Sequence, residues 1–464
     1  MGHGGICGRA GAPAFSVCSR ARKALALWCG VRGKLRESGN AGGQALNWDH
    51  WRAGIGIGLI LFIAWLLSEN RRAFPVRIVA TGLGIQFTLA LLLLKVPLAR
   101  AGFLRLNAVV DALTKATRAG TGFVFGYVGG GTAPFAVTNP GGLTSFAFAI
   151  LPMVIVISAL AALLWYWRVL SVVVHGLSFG LRKIMGIGGA VGLGAAATIF
   201  IGMVEAPLLI RPYLGKLTRN ELFILCTVGL ATVAGTVFVL YATIVGPVVP
   251  GALGHILVAS MLSLPGAIII ASIMVPPDAP STPANAAEGL TYHSSMDAIA
   301  RGTEDGLRMW LSIVAMLLVI VALVHLTDIV LNALPDIAGT PLSMERIFGW
   351  AFSPFAYLIG IPWHEAKAAG ALMGDKTVLN EFIAYVDMAR LPSGVLDPRV
   401  RLILLYALCG FANFGSVGIM IAGMSSMIPE RRQELVSLAM RALVSGTLAS
   451  AMSGALIGFL PLGS

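Results

Sequence analysis

The chain has 464 residues, 57% of them hydrophobic and only 12% charged, against about 25% charged in an average soluble domain. Its mean hydropathy of +0.85 excludes an ordinary water-soluble fold. The net charge of +12 does not indicate nucleic acid as a partner: residues 1–40 hold seven Lys/Arg and one Glu, or +6, and no basic stripe interleaved with aromatics follows.

In chain order, residues 1–50 come first and differ from the rest, being rich in Gly, Ala and Arg with a broken apolar pattern. "ALALWCGV" at 24–31 makes a poor signal-peptide core. The segment reads as a poorly ordered tail or a mis-called extension. Cys7, Cys18 and Cys29 lie in it; Cys226 and Cys409 lie in apolar stretches, with no CxxC spacing, and read as buried free thiols.

A membrane-spanning helix needs about 20 mainly apolar residues. Eight stretches meet or approach that length: 53–68, 78–97, 144–167, 222–248, 253–275, 309–333, 400–428 and 436–461. The chain therefore reads as an all-α polytopic membrane protein in a lipid bilayer. Arg71, Arg72, Arg77, Arg182, Lys183, Arg431 and Arg432 mark cytoplasmic loops. Lys95, Arg100, Arg105, Lys115 and Arg118 oppose that orientation, but they fall around "LRLNAVVDALTKATRAG", an amphipathic stretch suited to the interface, where basic side chains snorkel. Residues 276–308 are polar and Pro-rich and read as a cytoplasmic connection.

Two further segments, 190–215 and 345–391, are long enough to enter the membrane but are broken by Gly, Pro and charge. Such backbone is tolerated at depth only where protein buries it or water fills a cavity. The first contains "TIFIGMVEAPLLIRPYL" and precedes "GLATVAG" (229–235); the second contains "KTVLNEFIAYVDMARL" and precedes "GFANFGS" (410–416). Each carries one glutamate, Glu205 or Glu381, and three spans separate them, so the two units enter from opposite faces. Inverted repeats with discontinuous helices point to a transporter site near the midplane. Each carboxylate costs roughly 2.5–3.5 kcal/mol at the centre of a lone span, tolerable where helix ends and a polar ligand satisfy it. Neighbouring helices, or a location in polar turns, are the alternative account.

At these residues the chain resembles the concentrative nucleoside transporter family. "GDKTVLNEFIAY" (374–385) matches the G-x-K-x3-N-E-F-V-A signature, with Ile383 for Val; "GMVEAPLLIRPYL" (202–214) stands where the family has a Gln-Thr-Glu hairpin; "CGFANFGSVGI" (409–419) matches its unwound seventh helix; and "FVFGYVGGG" (123–131) and "FAFAILPMVIVISAL" (146–160) also fit. The similarity runs from about Trp51 to the C-terminus. It implies eight transmembrane helices with two re-entrant hairpins, assembled as a homotrimer in which a transport domain slides like an elevator. The implied division is 51–185 scaffold, 186–275 first half of the transport domain, 276–344 connection and sixth span, and 345–464 second half. It further implies an inner-membrane location.

The resemblance also assigns residues. Glu381, Asn413 and Ser416 match the ribose ligands, and Phe411 lines the pocket. On the base side Glu205 and Val237 are retained, but Met203 and Val204 replace two polar contacts, which implies altered or broader base selectivity. Thr198, Thr232, Ile201 and Val233 stand at the sodium ligands, two hydroxyls and two carbonyls, and Glu205 or Glu381 offers proton coupling instead. No other cofactor is implied. His364–Glu365 has no second histidine at helical spacing and reads as a polar hairpin stem; neither a P-loop nor a nucleophile elbow occurs. The reading is a secondary active nucleoside importer driven by sodium or protons. The same machine carrying another purine-like or ribosylated solute, a membrane-embedded enzyme using both glutamates, and a channel are the alternatives.

Overall fold

The structure, a computed structural model, describes residues 42–95, 112–136, 145–280, 282, 292–337 and 339–460. Of the tail expected over 1–50, residues 1–41 lie outside these residues, as do 96–111 of the basic stretch and, in the Pro-rich connection, 281 and 283–291. The chain divides into Met1–Trp48 and Asp49–Ser464. Of the first unit only the opening of a helix is described; the second carries the fold.

Among the described residues the fold is helical, without a strand. In order come α1 (Gly42–Leu66), α2 (Val76–Lys95), α3 (residues 112–125), a short π-turn at Phe146–Ile150, and α4 (Met153–Tyr166). The first broken unit follows: α5 (Val169–Met185), α6 (Gly189–Ile201), α7 (Glu205–Leu208), α8 (Arg211–Leu214), α9 (Arg219–Ala231), α10 (Gly235–Val245) and α11 (Ala252–Met274). After α12 (Ser295–Asn332) the same order recurs in α13 (Met344–Leu358), α14 (Trp363–Val378), α15 (Glu381–Arg390), α16 (Pro398–Leu408), α17 (Phe414–Met427) and α18 (Arg432–Phe459). All eight expected spans coincide with helices. Among the described residues five are long and apolar enough to cross a membrane, counting Phe146–Tyr166 as one and α9 with α10 as one.

Two sequence expectations change. Hairpin two does not begin at 345: α13 is a separate amphipathic helix, ended by the Gly360 turn at φ +104°. The hairpin itself is α14–α15, as α6–α8 is in the first unit, and α13 matches α5. Residues 295–308 are not loop but the first turns of α12, started by the Ser294 hydroxyl accepting from the Asp297 N–H (3.1 Å). At 38 residues α12 is about 57 Å long, well beyond a bilayer's apolar thickness. α1 and α2 pack on the second broken unit and on α11: Gly54 faces Phe459, Gly82 faces Ile269, and the Gln86 amide donates to the Leu262 carbonyl (2.7 Å).

Burial separates two environments. The apolar windows of α9–α10, α11 and α18 are 94%, 89% and 83% buried, against 22% for α2 and 44% for the α4 segment. The former make a protein-enclosed core, while the latter offer apolar surface to lipid. Small residues permit the tight core, as expected where lipid supplies no hydrophobic drive between helices. Gly454 leaves room for the Ala407 side chain and the Ile403 carbonyl, and Gly446 for Leu230. The pair α4–α12 closes the same way, Gly302 and Gly306 lying against the backbone of Ala159 and Ile155.

Candidate functional site

Two of the core spans are interrupted, and their interruptions meet. α9 stops at Ala231 and α10 restarts at Gly235; α16 stops at Leu408 and α17 restarts at Phe414. The Phe411 N–H donates to the Thr232 carbonyl (3.3 Å), so each break satisfies part of the other. Gly410 is required there, since a Cβ would stand 2.7 Å from the Ala231 carbonyl oxygen.

Asparagines start the two helices that flank this crossing. Asn380 Oδ1 accepts from the Ile383 N–H (2.9 Å) and begins α15; Asn413 Oδ1 accepts from the Ser416 N–H (2.7 Å) and begins α17. Glu381 is thereby fixed as the first residue of α15, where the helix dipole favours an anion. Tyr241 donates its hydroxyl to Glu381 Oε1 (2.6 Å), and Asn413 Nδ2 donates to Oε2 (3.1 Å). All three side chains are buried. An ionised carboxylate offers about four acceptor sites, so two remain for hydroxyl donors. The wall is aromatic: Phe382 lies 4.7 Å from Phe146 and 6.3 Å from Tyr241, ring centre to ring centre.

Of the sequence-assigned residues, the structure gathers Glu381, Asn413, Ser416 through its backbone, and Phe411 at the crossing. Hairpin one sits differently. Glu205 folds back over the Gly202 turn (φ +106°), where a Cβ would meet its Oε2 at 2.6 Å. Met203 lies over Gly229 and Val204 over Gly423, so both seat the hairpin tip against glycines of α9 and α17. Val237 is buried on the first turn of α10. None of the hydrogen bonds to the Glu381 carboxylate comes from Glu205. Tyr241 is the residue that sequence reasoning missed; its one signal was a phenol one turn beyond Val237 in "GTVFVLYATIV".

The ion candidates cluster where hairpin one abuts the first break. Gly235 faces the Phe200 carbonyl, and Gly202 faces Ala234. Thr198 and Thr232 each donate their hydroxyl to a carbonyl one turn back, Gly194 and Val228, both at 2.8 Å. Each hydroxyl oxygen keeps lone pairs for a cation. The Val233 carbonyl accepts from the Ser260 hydroxyl (3.2 Å).

Comparison with known proteins gives the family and the fold. Residues 55–128 and 255–458 match the N-terminal and C-terminal family models described as Na+ dependent nucleoside transporter, and residues 147–248 match one described as Nucleoside recognition. Nucleoside permease NupC of Helicobacter pylori is 33% identical over 411 residues, covering 87% of this chain and 96% of that one. The chain belongs to the concentrative nucleoside transporter family. It is also 34% identical to the Bacillus subtilis transporter YutK, over 87% of this chain and 98% of the relative. Sodium/nucleoside cotransporter 1 of Mus musculus is 30% identical over 88% of this chain and 63% of the mouse protein. Solved structures of CNTnw superpose with TM-scores of 0.80 in an inward-facing substrate-bound state and 0.81 in an outward-facing one. Both are at 33% identity and cover 88% of this chain and 97% of that one. The fold is thus that of a multi-pass membrane transporter and not an enzyme. For a concentrative nucleoside transporter, two broken helices crossing beside a re-entrant hairpin are the expected frame of a solute site.

Proposed function

We propose that this chain is a secondary active importer of nucleosides across the inner membrane, coupled to a sodium or proton gradient. The observation that carries the reading is the Glu381 carboxylate, buried at the crossing with Tyr241 and Asn413 on it and acceptor capacity to spare. A ribose diol supplies donors for that capacity, and the Asn413 amide, held by its cap bond, is set to pair with a sugar oxygen. A solute lacking the hydroxyls leaves buried groups unpaired, a condition under which sites discriminate strongly. The substrates named for the relatives support the same class.

On the base side, Met203, Val204, Glu205 and Val237 offer mainly apolar surface, which favours recognition by packing over a strict hydrogen-bond code. Another purine-like or ribosylated solute fits the same frame. For the ion, Thr198, Thr232, Ile201 and Val233 offer four hard oxygens, and the family description favours sodium. We further propose a homotrimer in which α4 and α12 form the fixed support, against which the broken units slide with α1 and α2 attached.

The test is uptake of labelled uridine and adenosine into proteoliposomes, with and without sodium and across pH, using wild type and Glu381→Gln. Saturable accumulation of unmodified nucleoside, lost in the variant, is expected. Equal transport by Glu381→Gln overturns the site, and full activity without sodium removes obligatory sodium coupling. Competition by a panel of nucleosides and free bases checks base selectivity; a strict pyrimidine preference contradicts the packing account.

A further inference from the structure

The first arms of the two hairpins differ in charge. In the first hairpin, arm α6 reads GAVGLGAAATIFI, with Thr198 as its polar side chain. In the second, arm α14 carries Lys376, 1% exposed and five residues before Glu381. Lysine is almost never fully buried without partners, because an isolated ammonium loses far more hydration than packing returns.

The partners of Lys376 are specific. Its ammonium donates to the Ala407 carbonyl (2.9 Å) and to the Ser450 hydroxyl (2.6 Å) on α18. Ser450 in turn donates to the Thr447 carbonyl (3.2 Å). Ala407 is the next-to-last residue of α16, so its carbonyl belongs to the final turn, which lacks intrahelical N–H partners and carries the negative end of the dipole. Six residues on, across the break, Asn413 reaches Glu381. Lys376 and Glu381, on the two arms of one hairpin, therefore grip the same interruption from its two ends. In the first half the break itself holds no charged residue among Thr232–Ala234, and the charge beside it is the Glu205 carboxylate, at the Gly202 turn that faces Ala234.

We propose that Lys376 is a tethered cation: the second half carries on its own chain the positive charge that closes its helix break, and the charge fixes Asn413 and Glu381 in register for sugar hydroxyls. Lys376 touches no substrate in this arrangement and is a positioning residue. The inference rests on the nucleoside reading above and adds to it a reason why sugar recognition sits in the second half. Lys376→Met keeps the chain's length and removes the charge. Loss of a buried charged partner predicts that KM for uridine rises by roughly tenfold or more, with a smaller change in kcat. The preference for uridine over 3′-deoxyuridine collapses, while the dependence on sodium, whose candidate ligands lie in the first half, stays as in wild type. Lys376→Arg restores part of the preference.

A merely structural role lowers the amount of folded protein without changing the hydroxyl preference of what remains. A folded Lys376→Met with wild-type KM and wild-type preference overturns the proposal. Should that variant fail to fold, Ser450→Ala decides, since it removes one of the two oxygen partners and keeps the charge. A smaller shift in the same direction is expected, and an unchanged KM and preference overturns the proposal equally. Wild-type protein that accumulates no nucleoside instead refutes the underlying transport reading, a separate result seen before any variant is measured.

Discussion

Tyr241 and Gly202 are single residues whose roles follow from geometry alone. The Tyr241 phenol supplies one of two donors to a buried carboxylate. Removing the hydroxyl by Tyr241→Phe leaves that oxygen short of a partner, at a cost of about 1–3 kcal/mol for a buried charged acceptor. We expect uridine affinity to fall by roughly tenfold with folding intact, read as KM in uptake assays beside melting temperature. An unchanged KM removes Tyr241 from the site. Gly202 combines a left-handed backbone with no room for a Cβ, the nearest atom being Glu205 Oε2 at 2.6 Å. Gly202→Ala must displace the Glu205 carboxylate and strain the turn, costing about 1–3 kcal/mol. Reduced uptake with a lowered melting temperature is expected, whereas wild-type behaviour in both contradicts the turn's role. Sequence showed Glu381 and Asn413 because polar residues stand out in apolar runs. It hid Tyr241, because its partner is 140 residues away and an isolated tyrosine in a helix looks like packing.

At the scale of elements, what could be read depended on where apolar periodicity was interrupted. The breaks at 232–234 and 409–413 were legible from Gly-Ala-polar clusters inside long spans. The boundary between α13 and α14 was not, because α13 buries Gly349, Ser353 and Ala356 on one face and so looks like membrane-entering sequence continuous with the hairpin. The loop after α1 makes a testable clamp. Glu69 accepts from Arg219 at the start of α9 (2.9 and 3.2 Å) and also from Arg441 of α18, and its N–H donates to the Met274 carbonyl at the end of α11 (2.9 Å). Hydrogen bonding from Arg219, helped by the charges of both arginines, holds its carboxyl below the ordinary 4.5. A depressed carboxylate contributes stability above its unfolded pKa and loses it as pH falls through the folded value. The melting temperature of wild type should therefore exceed that of Glu69→Gln at pH 7, with the gap closing below about pH 4.5. A gap that is constant with pH assigns the difference to something other than this ion cluster.

At the scale of the molecule, the packing defines which parts can move together. α4 and α12 close on each other through Gly302 and Gly306, while α9, α10, α11, α16, α17 and α18 share one core. Side chains meet between the two parts: Phe146, just before α4, lies 4.7 Å from Phe382 of α15, ring centre to ring centre, and the Thr236 hydroxyl of α10 lies 3.9 Å from the Met309 sulfur of α12. Contacts of this kind can be remade as one part slides past the other, whereas the glycine-seated contacts within each part hold backbone against backbone. Cysteines placed by Thr236→Cys and Met309→Cys, in a chain whose own cysteines are replaced, lie close enough for a short bifunctional thiol reagent. If the broken units translate past α12 during transport, cross-linking that pair stops uptake, and cleaving the linker restores it. Each single-cysteine variant treated alike keeps its activity. A cross-linked pair that transports at the wild-type rate means that α10 and α12 travel together, and the support must then be sought elsewhere in the fold.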